Sequence, residues 1–215
     1  MYPKVKICCI SSEEEAGMAI DAGASALGLV ARMPSGPGPI PDERILQIAR
    51  AIPPPIASFM LTCETSSEAV IAHHLRTLTN TIQMVDVLED DGYETIRKAL
   101  PTVKLVQVVH VIGPESVEEA LRLAGRVDAL LLDSGNPKAA LKELGGTGRT
   151  HNWRLSREIV EKSGVPVFLA GGLHAGNVRQ ALDEVGPFGV DLCSGVRTDG
   201  RLDPYRLEAF FKAIG

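Results

Sequence analysis

The feature that most constrains this chain is an alternation. Eight short apolar runs are separated by amphipathic stretches of helical length. The runs are Val5–Ile10, Ala26–Ala31, Ile56–Leu61, Thr81–Val87, Val103–Val111, Ala129–Asp133, Val167–Ala170 and Gly189–Ser194. Nearly every position in them is apolar. That pattern belongs to parallel strands covered on both faces, not to strands with one wet face.

The intervening segments carry helix punctuation. Ser12–Ala22 opens with a cap-like serine and three glutamates and stops at Gly23, as acids favour a first turn. Asp42–Ala51 ends ahead of Pro53, and Ser67–Thr79 places Val70, Ile71, Leu75 and Leu78 at helical spacing. Ser116–Ala124 begins with a Ser-x-x-Glu capping box, Ser116 and Glu119, and closes at Gly125. Tyr93–Leu100, Trp153–Ser163, Asn177–Val185 and Pro204–Ile214 complete the set, the last with proline at its first position. His73 and His74 fall mid-helix and are expected to be exposed.

Eight units of about 27 residues fit an α/β fold of the (β/α)8 TIM-barrel type, as one domain over 1–215. A doubly wound sheet uses the same alternation. Two features favour the barrel: there is no spare strand, and the first turn lacks a G-x-G-x-x-G fingerprint. The Pro/Gly-rich segment Pro34–Pro41 reads as a surface loop of the second unit.

Charge and cysteines bound the function. Lys plus Arg total 22 against 27 for Asp plus Glu, a net charge of -5. No basic footprint for nucleic acid or an anionic membrane follows from that. An anionic small molecule is still allowed, because a few backbone N–H groups suffice to hold a phosphate. No apolar run reaches the roughly 18 residues of a membrane span. The start has no secretory pattern, and Cys8, Cys9, Cys63 and Cys193 show no C-x-x-C spacing. The expectation is a reduced, cytoplasmic chain. As strand neighbours, Cys8 and Cys9 should point to opposite faces.

In a barrel the site sits at the C-terminal ends of the strands. Those ends carry Cys8-Cys9, Arg32, Gln83 with Asp86, Asp133, Gly171-Gly172 and Cys193-Ser194-Gly195. The glycines after runs seven and eight make tight turns, or they let backbone N–H groups approach a phosphate; a barrel favours the phosphate. Gly145-Gly146-Thr147-Gly148 is a lid or a plain loop. Asp133 closes an apolar run, where desolvation would raise its pKa and suit it to acid catalysis; a turn cap is the other reading. A cysteine in an apolar strand is a packing residue unless nearby positive charge favours its thiolate. His110, His151 and His174 lack ligand spacing, so no metal is expected. Trp153 is expected to pack.

Taken together, these segments resemble the phosphoribosylanthranilate isomerase family over essentially the whole chain. Val5-Lys6-Ile7-Cys8 matches its V-K-I-C, and Ala22–Gly28 is similar to its A-G-A-D-A-x-G. Leu131-Leu132-Asp133 matches its L-L-D, and Gly145–Trp153 resembles G-G-T-G-x-x-F-D-W. Leu169-Ala170-Gly171-Gly172-Leu173 with Asn177-Val178 matches L-A-G-G-L…N-V, and Gly189–Val196 matches G-V-D-x-S-S-G-V. The resemblance implies an Amadori rearrangement in tryptophan biosynthesis, from an N-linked ribosyl amine to a 1-deoxyribulose. It implies Cys8 as general base and Asp133 as general acid. It implies substrate contacts from Arg32, Gln83, Gly146, Gly171, Gly172, Ser194 and Gly195, a phosphorylated sugar as the partner, and no cofactor. A monomer and a homodimer both fit.

The chain departs from the family pattern at several positions, among them His151-Asn152 in place of the F-D pair. Cys9 replaces a glycine, and Met84-Val85-Asp86 replaces L-H-G after Gln83. Arg197 replaces the acid that follows G-V, and the loop after run two lacks its arginine, with Arg32 several residues early. A paralogue acting on another phosphorylated sugar, or a non-catalytic phosphosugar binder, is therefore the second reading. Retention of both Cys8 and Asp133 argues for catalysis.

Overall fold

A computed structural model describes residues 2–88, 92–135 and 151–215. Eight strands, β1 (Lys4–Ile7), β2 (Ala26–Val30), β3 (Ala57–Thr62), β4 (Thr81–Met84), β5 (Lys104–His110), β6 (Ala129–Asp133), β7 (Val167–Leu169) and β8 (Gly189–Leu192), form a closed barrel in chain order. Every pair is parallel, and β8 returns to β1 with Lys4 opposite Gly189 and Lys6 opposite Asp191. Helices α1 (Glu13–Asp21), α2 (Asp42–Ala51), α3 (Ser67–Thr77), α4 (Gly92–Ala99), α5 (Glu115–Ala124), α6 (Trp153–Lys162), α7 (Val178–Val185) and α8 (Pro204–Ile214) follow the strands in turn. No helix among the described residues is long and apolar enough to cross a membrane.

The apolar runs serve two cores, because a strand's side chains alternate between faces. Leu27, Leu29, Met60, Ile82, Leu105 and Leu132 point outward and join the helices in the larger core. Ala26, Val30, Phe59, Leu61, Val106, Val108, Leu131 and Phe168 point inward and fill the barrel. Caps fix several helix starts. The Ser12 hydroxyl accepts from the Glu15 amide at 3.1 Å. Asp203 accepts from the amides of Tyr205 and Arg206 at 2.9 and 3.2 Å, with Pro204 in the first turn.

Several expectations need correction. The strands stop short of the apolar runs, at Ile7, Met84 and Leu192. Cys8 and Cys9 therefore lie beyond β1, and both side chains join the inner core instead of splitting between faces. His73 and His74 are buried, each 5% exposed. The inward stripe of α3 is Val70, His73, His74 and Thr77, whereas Leu75 and Leu78 face out. His73 is held between the Thr62 hydroxyl (2.9 Å) and Asp42 (3.1 Å), and His74 meets the Thr79 carbonyl at 2.7 Å. Polar partners thus offset the burial of two imidazoles that hydropathy alone would leave in water. Ser116 is not a cap, since α5 starts after Pro114. Its hydroxyl instead donates to the His110 carbonyl and accepts from the Ile112 amide, stapling the loop after β5. Trp153 packs half-buried against the outer core, as expected.

A small hairpin, β9 (Arg197–Thr198) and β10 (Arg201–Leu202), follows β8 and a single 3₁₀ turn at Ser194–Val196. Asp199 and Gly200 turn it with φ of 49° and 78°. Asp-Gly at a tight hairpin turn supplies the two positive φ values that such a turn requires.

The seam between β1 and β8 makes one prediction. A Cβ on Gly189 would lie 2.6 Å from the Lys4 carbonyl oxygen and 2.8 Å from the Phe168 ring. Gly189→Ala should lower unfolding free energy by roughly 1–3 kcal/mol, the usual cost of overpacking. Urea titration measures it, and an unchanged midpoint would contradict this account of the closure.

Candidate active site

The site grows from the end of β1. Lys6 points into the barrel and is fully buried. Its ammonium meets the Asp191 carboxylate of β8 at 2.8 Å. Burial alone would lower the Lys6 pKa; the carboxylate, with the thiols of Cys8 and Cys9 behind it, overrides that and holds Lys6 firmly charged. Two positions on, Cys8 faces the same way. Gly28 of β2 makes the room, because a Cβ there would sit 2.8 Å from Cys8 Sγ and 3.0 Å from Lys6 Nζ.

The Cys8 thiol is pushed below its ordinary pKa. The main cause is a hydrogen bond from the Cys9 thiol; burial opposes it, and the Lys6 charge adds to it. Cys9 is pushed the other way, by its thiol contacts with Cys193 and then Cys8. Cys9 donates from its thiol to the Pro37 carbonyl at 3.6 Å. Its backbone is unusual, with φ of 63°. A non-glycine residue in the left-handed region costs on the order of 1–2 kcal/mol. The turn lets Cys9 pack beneath the loop after β2, where a Cβ on Gly38 would come within 2.6 Å of Cys9 Cβ.

Across the barrel mouth, Asp133 ends β6 with 8% exposure. Burial raises its pKa; hydrogen bonds from Ser134 and the proximity of His110 pull it back, and Asp191 adds to the rise. The Ser134 amide donates to Asp133 Oδ1 at 2.7 Å. His110 of β5 stands in register with Asp133. Burial holds the imidazole below its ordinary pKa against the pull of Asp133. Neither ring nitrogen has a hydrogen-bond partner among the described residues.

Cys8 and Asp133 line one cavity, with Gln83, Gly171, Gly172, Asp191, Cys193 and Ser194. Its wall is apolar, from Val30, Leu61, Val85, Val108 and Leu131, and the loop at Met33–Pro37 closes one side. Gln83 is buried, and its Oε1 lacks a protein donor among the described residues. Gly171 and Gly172 take φ of 84° and 63°, and Asn177 Nδ2 donates to the Gly172 carbonyl at 2.9 Å. That bond pins the loop at the start of α7. Gly195 does not line the cavity. It lets the turn after β8 press against the Leu173 carbonyl, where no Cβ would fit. Backbone amides at two abutting turns of this kind suit an anion.

Two expected residues lie elsewhere. Arg32 is exposed on a separate outer groove with Asp42, Glu64, His73 and Arg76. Asp86 lines a neighbouring hollow with His110, Glu115 and Glu119. Gly146 lies outside the described residues. Sequence reasoning passed over Lys6, Asp191 and Gly28, and marked Arg197 only as a departure from the family pattern. The first two carried a signal, as opposite charges embedded in apolar strands that neighbour each other once a barrel closes. No group of three or more His, Cys, Asp or Glu among the described residues could hold a metal ion.

Residues 5–213 match the model of the N-(5'-phosphoribosyl)anthranilate (PRA) isomerase family. The N-(5'-phosphoribosyl)anthranilate isomerase of Methanocella arvoryzae is 32% identical over 205 residues, covering 95% of this chain and 93% of the relative. Phosphoribosyl anthranilate isomerase from Thermococcus kodakaraensis superimposes with a TM-score of 0.83 at 26% identity, over 99% of this chain and 98% of that one. A crystal structure of phosphoribosyl anthranilate isomerase in complex with reduced 1-(o-carboxyphenylamino)-1-deoxyribulose 5-phosphate superimposes at 0.79 with 27% identity, over 99% and 98%.

Two measurements follow from the geometry. Alkylation of Cys8 by iodoacetamide should titrate at lower pH than an ordinary thiol. The paired change Lys6→Met with Asp191→Asn should move that titration upward, because the Lys6 charge outweighs Asp191 at the thiol. Gly28→Ala should displace the thiol and slow alkylation; an unaltered rate would contradict the packing described.

Proposed function

Since the chain belongs to the N-(5'-phosphoribosyl)anthranilate isomerase family, we propose that it performs the Amadori rearrangement of N-(5'-phosphoribosyl)anthranilate to its 1-deoxyribulose 5-phosphate isomer, in tryptophan biosynthesis. The observation that carries this reading is the pairing of a thiol pushed down and a carboxyl pushed up in one cavity.

The substrate phosphate sits on the turns after β7 and β8, at the amides of Gly171, Gly172 and Ser194, with Gly195 shaping the turn. A dianion is held there by oriented backbone dipoles rather than by a side-chain charge. The apolar wall of Val30, Leu61, Val85, Val108 and Leu131 takes the aromatic ring. Gln83 offers its buried carbonyl oxygen to a substrate hydroxyl, the kind of donor that would satisfy an orphaned buried acceptor.

Asp133, whose carboxyl burial pushes up, gives its proton to the furanose ring oxygen. The bond from that oxygen to C1 breaks, and the nitrogen lone pair forms a protonated Schiff base at C1. The Cys8 thiolate takes the C2 proton, and its electron pair becomes the C1–C2 double bond of an enolamine. Loss of the C2 hydroxyl proton and protonation at C1 give the ketone. The sum is an isomerisation, so no external oxidant or reductant enters. Environments that separate the two pKa values give one fold both an acid and a base at neutral pH.

One observation favours the second reading, a different phosphorylated sugar amine. No lysine or arginine is among the described residues lining the cavity, and an aryl carboxylate is commonly met by a guanidinium. Rescue of a tryptophan auxotroph that lacks this isomerase, together with turnover by the purified protein, separates the two. The present reading expects rescue. A protein that binds a phosphosugar but neither rescues growth nor turns over this substrate would refute it.

Cys8→Ala and Asp133→Asn should each lower kcat by about 10²–10⁴-fold, the usual worth of a positioned acid or base, with KM nearly unchanged. The pH dependence has a definite sign. Activity should rise as Cys8 loses its proton and fall as Asp133 loses its own. Rates across pH should therefore form a bell, and each variant should remove the limb set by its own group; steady-state rates of Cys8→Ala and Asp133→Asn test this.

A further inference from the structure

Arg197 stands on β9, just past the barrel, and is 9% exposed. Its charge is balanced by Glu15 of α1, with Nη1 at 2.9 Å from Oε1 and Nη2 at 3.2 Å from Oε2. Glu15 is itself fixed. It accepts from the Leu202 amide at 2.9 Å, the Ser11 amide at 3.0 Å and the Ser11 hydroxyl at 3.1 Å. Nη1 also donates to the Gly200 carbonyl at 3.0 Å, tying the arginine to its own hairpin. A buried guanidinium needs such pairing to be tolerated at all.

Two further bonds are not required for charge balance. Nη2 donates to the Cys9 carbonyl at 2.7 Å and to the Cys8 carbonyl at 3.2 Å. Those carbonyls bracket the residue whose backbone is left-handed, at φ 63°. A cysteine leaves that region readily unless something holds it, because its Cβ meets the carbonyl oxygen that follows. The guanidinium supplies the hold. Its rigid planar fork reaches carbonyl and carboxylate acceptors at the same time, which a lysine's single ammonium cannot do.

The turn has a consequence at the thiol. Cys8 lies between the end of β1 and Cys9. Its amide is pinned to the Leu192 carbonyl at 2.7 Å on one side, and its carbonyl is pinned by Arg197 on the other. The direction of its side chain is set between these two fixed points.

We propose that Arg197 is a positioning residue for the reaction: by clamping the Cys8 and Cys9 carbonyls it holds the left-handed turn that aims the Cys8 thiol at the substrate. Glu15 is the anchor of the clamp. The proposal rests on the reading of Cys8 as the base, and it adds a residue that touches no substrate.

A double-variant cycle with Cys9→Gly tests it, because glycine holds the left-handed turn without a clamp. Arg197→Lys keeps the charge facing Glu15 but loses the fork. In the Cys9 background it should lower kcat about tenfold or more, with KM within about twofold, as misplacement of a reacting group does. In the Cys9→Gly background the same change should cost less than about threefold, since the glycine removes the need for the clamp. Equal losses in both backgrounds overturn the proposal, and so does a loss in KM or melting temperature with kcat unchanged. Where Arg197→Lys does not fold by circular dichroism, the neutral pair Glu15→Gln with Arg197→Gln is compared in the same two backgrounds. Folding in the glycine background alone supports the clamp; folding in neither shows a general structural role and overturns it. Failure of the unsubstituted protein to turn over the substrate would refute the functional reading instead, and is seen before any variant is made.

Discussion

The buried ion pair between Lys6 and Asp191 is the interaction on which the rest of the site depends. It lies inside the barrel across the β1–β8 seam, at 2.8 Å, with the lysine wholly removed from water. Such a pair is not a source of stability, because desolvation of two charges takes back much of their attraction. Removing one partner alone would leave a bare charge in the barrel, a change worth about 3–5 kcal/mol. What the pair provides is a fixed field beneath the cavity floor. The ammonium lies close enough to Cys8 to favour its thiolate, and the carboxylate lies close enough to Asp133 to discourage a second negative charge. One pair therefore biases the base and the acid in opposite directions.

The barrel makes that bias possible through its side-chain period. Lys6 and Cys8 are two positions apart and project to the same side, as do Leu131 and Asp133 on β6. The lower layer supplies charge and packing and the upper layer supplies reacting groups. Gly28 leaves a gap on β2 so that lysine and thiol fit side by side. Above them the neighbouring thiols are pushed apart, Cys8 downward and Cys9 upward. The arrangement requires a cysteine in a backbone conformation that glycine adopts more readily.

The architecture was legible in the sequence because nearly uniform apolar runs mark strands covered on both faces. All eight strands and eight helices stand where the pattern puts them, shorter at the ends where the runs continue into the mouth. The reacting pair was legible too, from Cys8 and Asp133 at strand ends. The failures share a cause: polar groups buried with partners. His73 and His74 were expected in water because their partners, Thr62, Asp42 and Thr79, come from other parts of the chain or from a helix end. Arg197 was seen only as a departure from a family pattern, since the carboxylate and the two cysteine carbonyls that it binds lie 182 and more residues away. Arg32 was placed by proximity in sequence to the mouth, yet its side chain runs outside the barrel.

The most direct test of an acid and a base working in concert is proton removal at C2. Phosphoribosylanthranilate carrying deuterium at C2 should turn over more slowly than the unlabelled substrate, and Cys8→Ala should lose both turnover and exchange of that deuterium with water. A Cys8→Ala protein that exchanges the label at the native rate would contradict the assignment of the thiol as the base, and with it the role given to the charged pair beneath it.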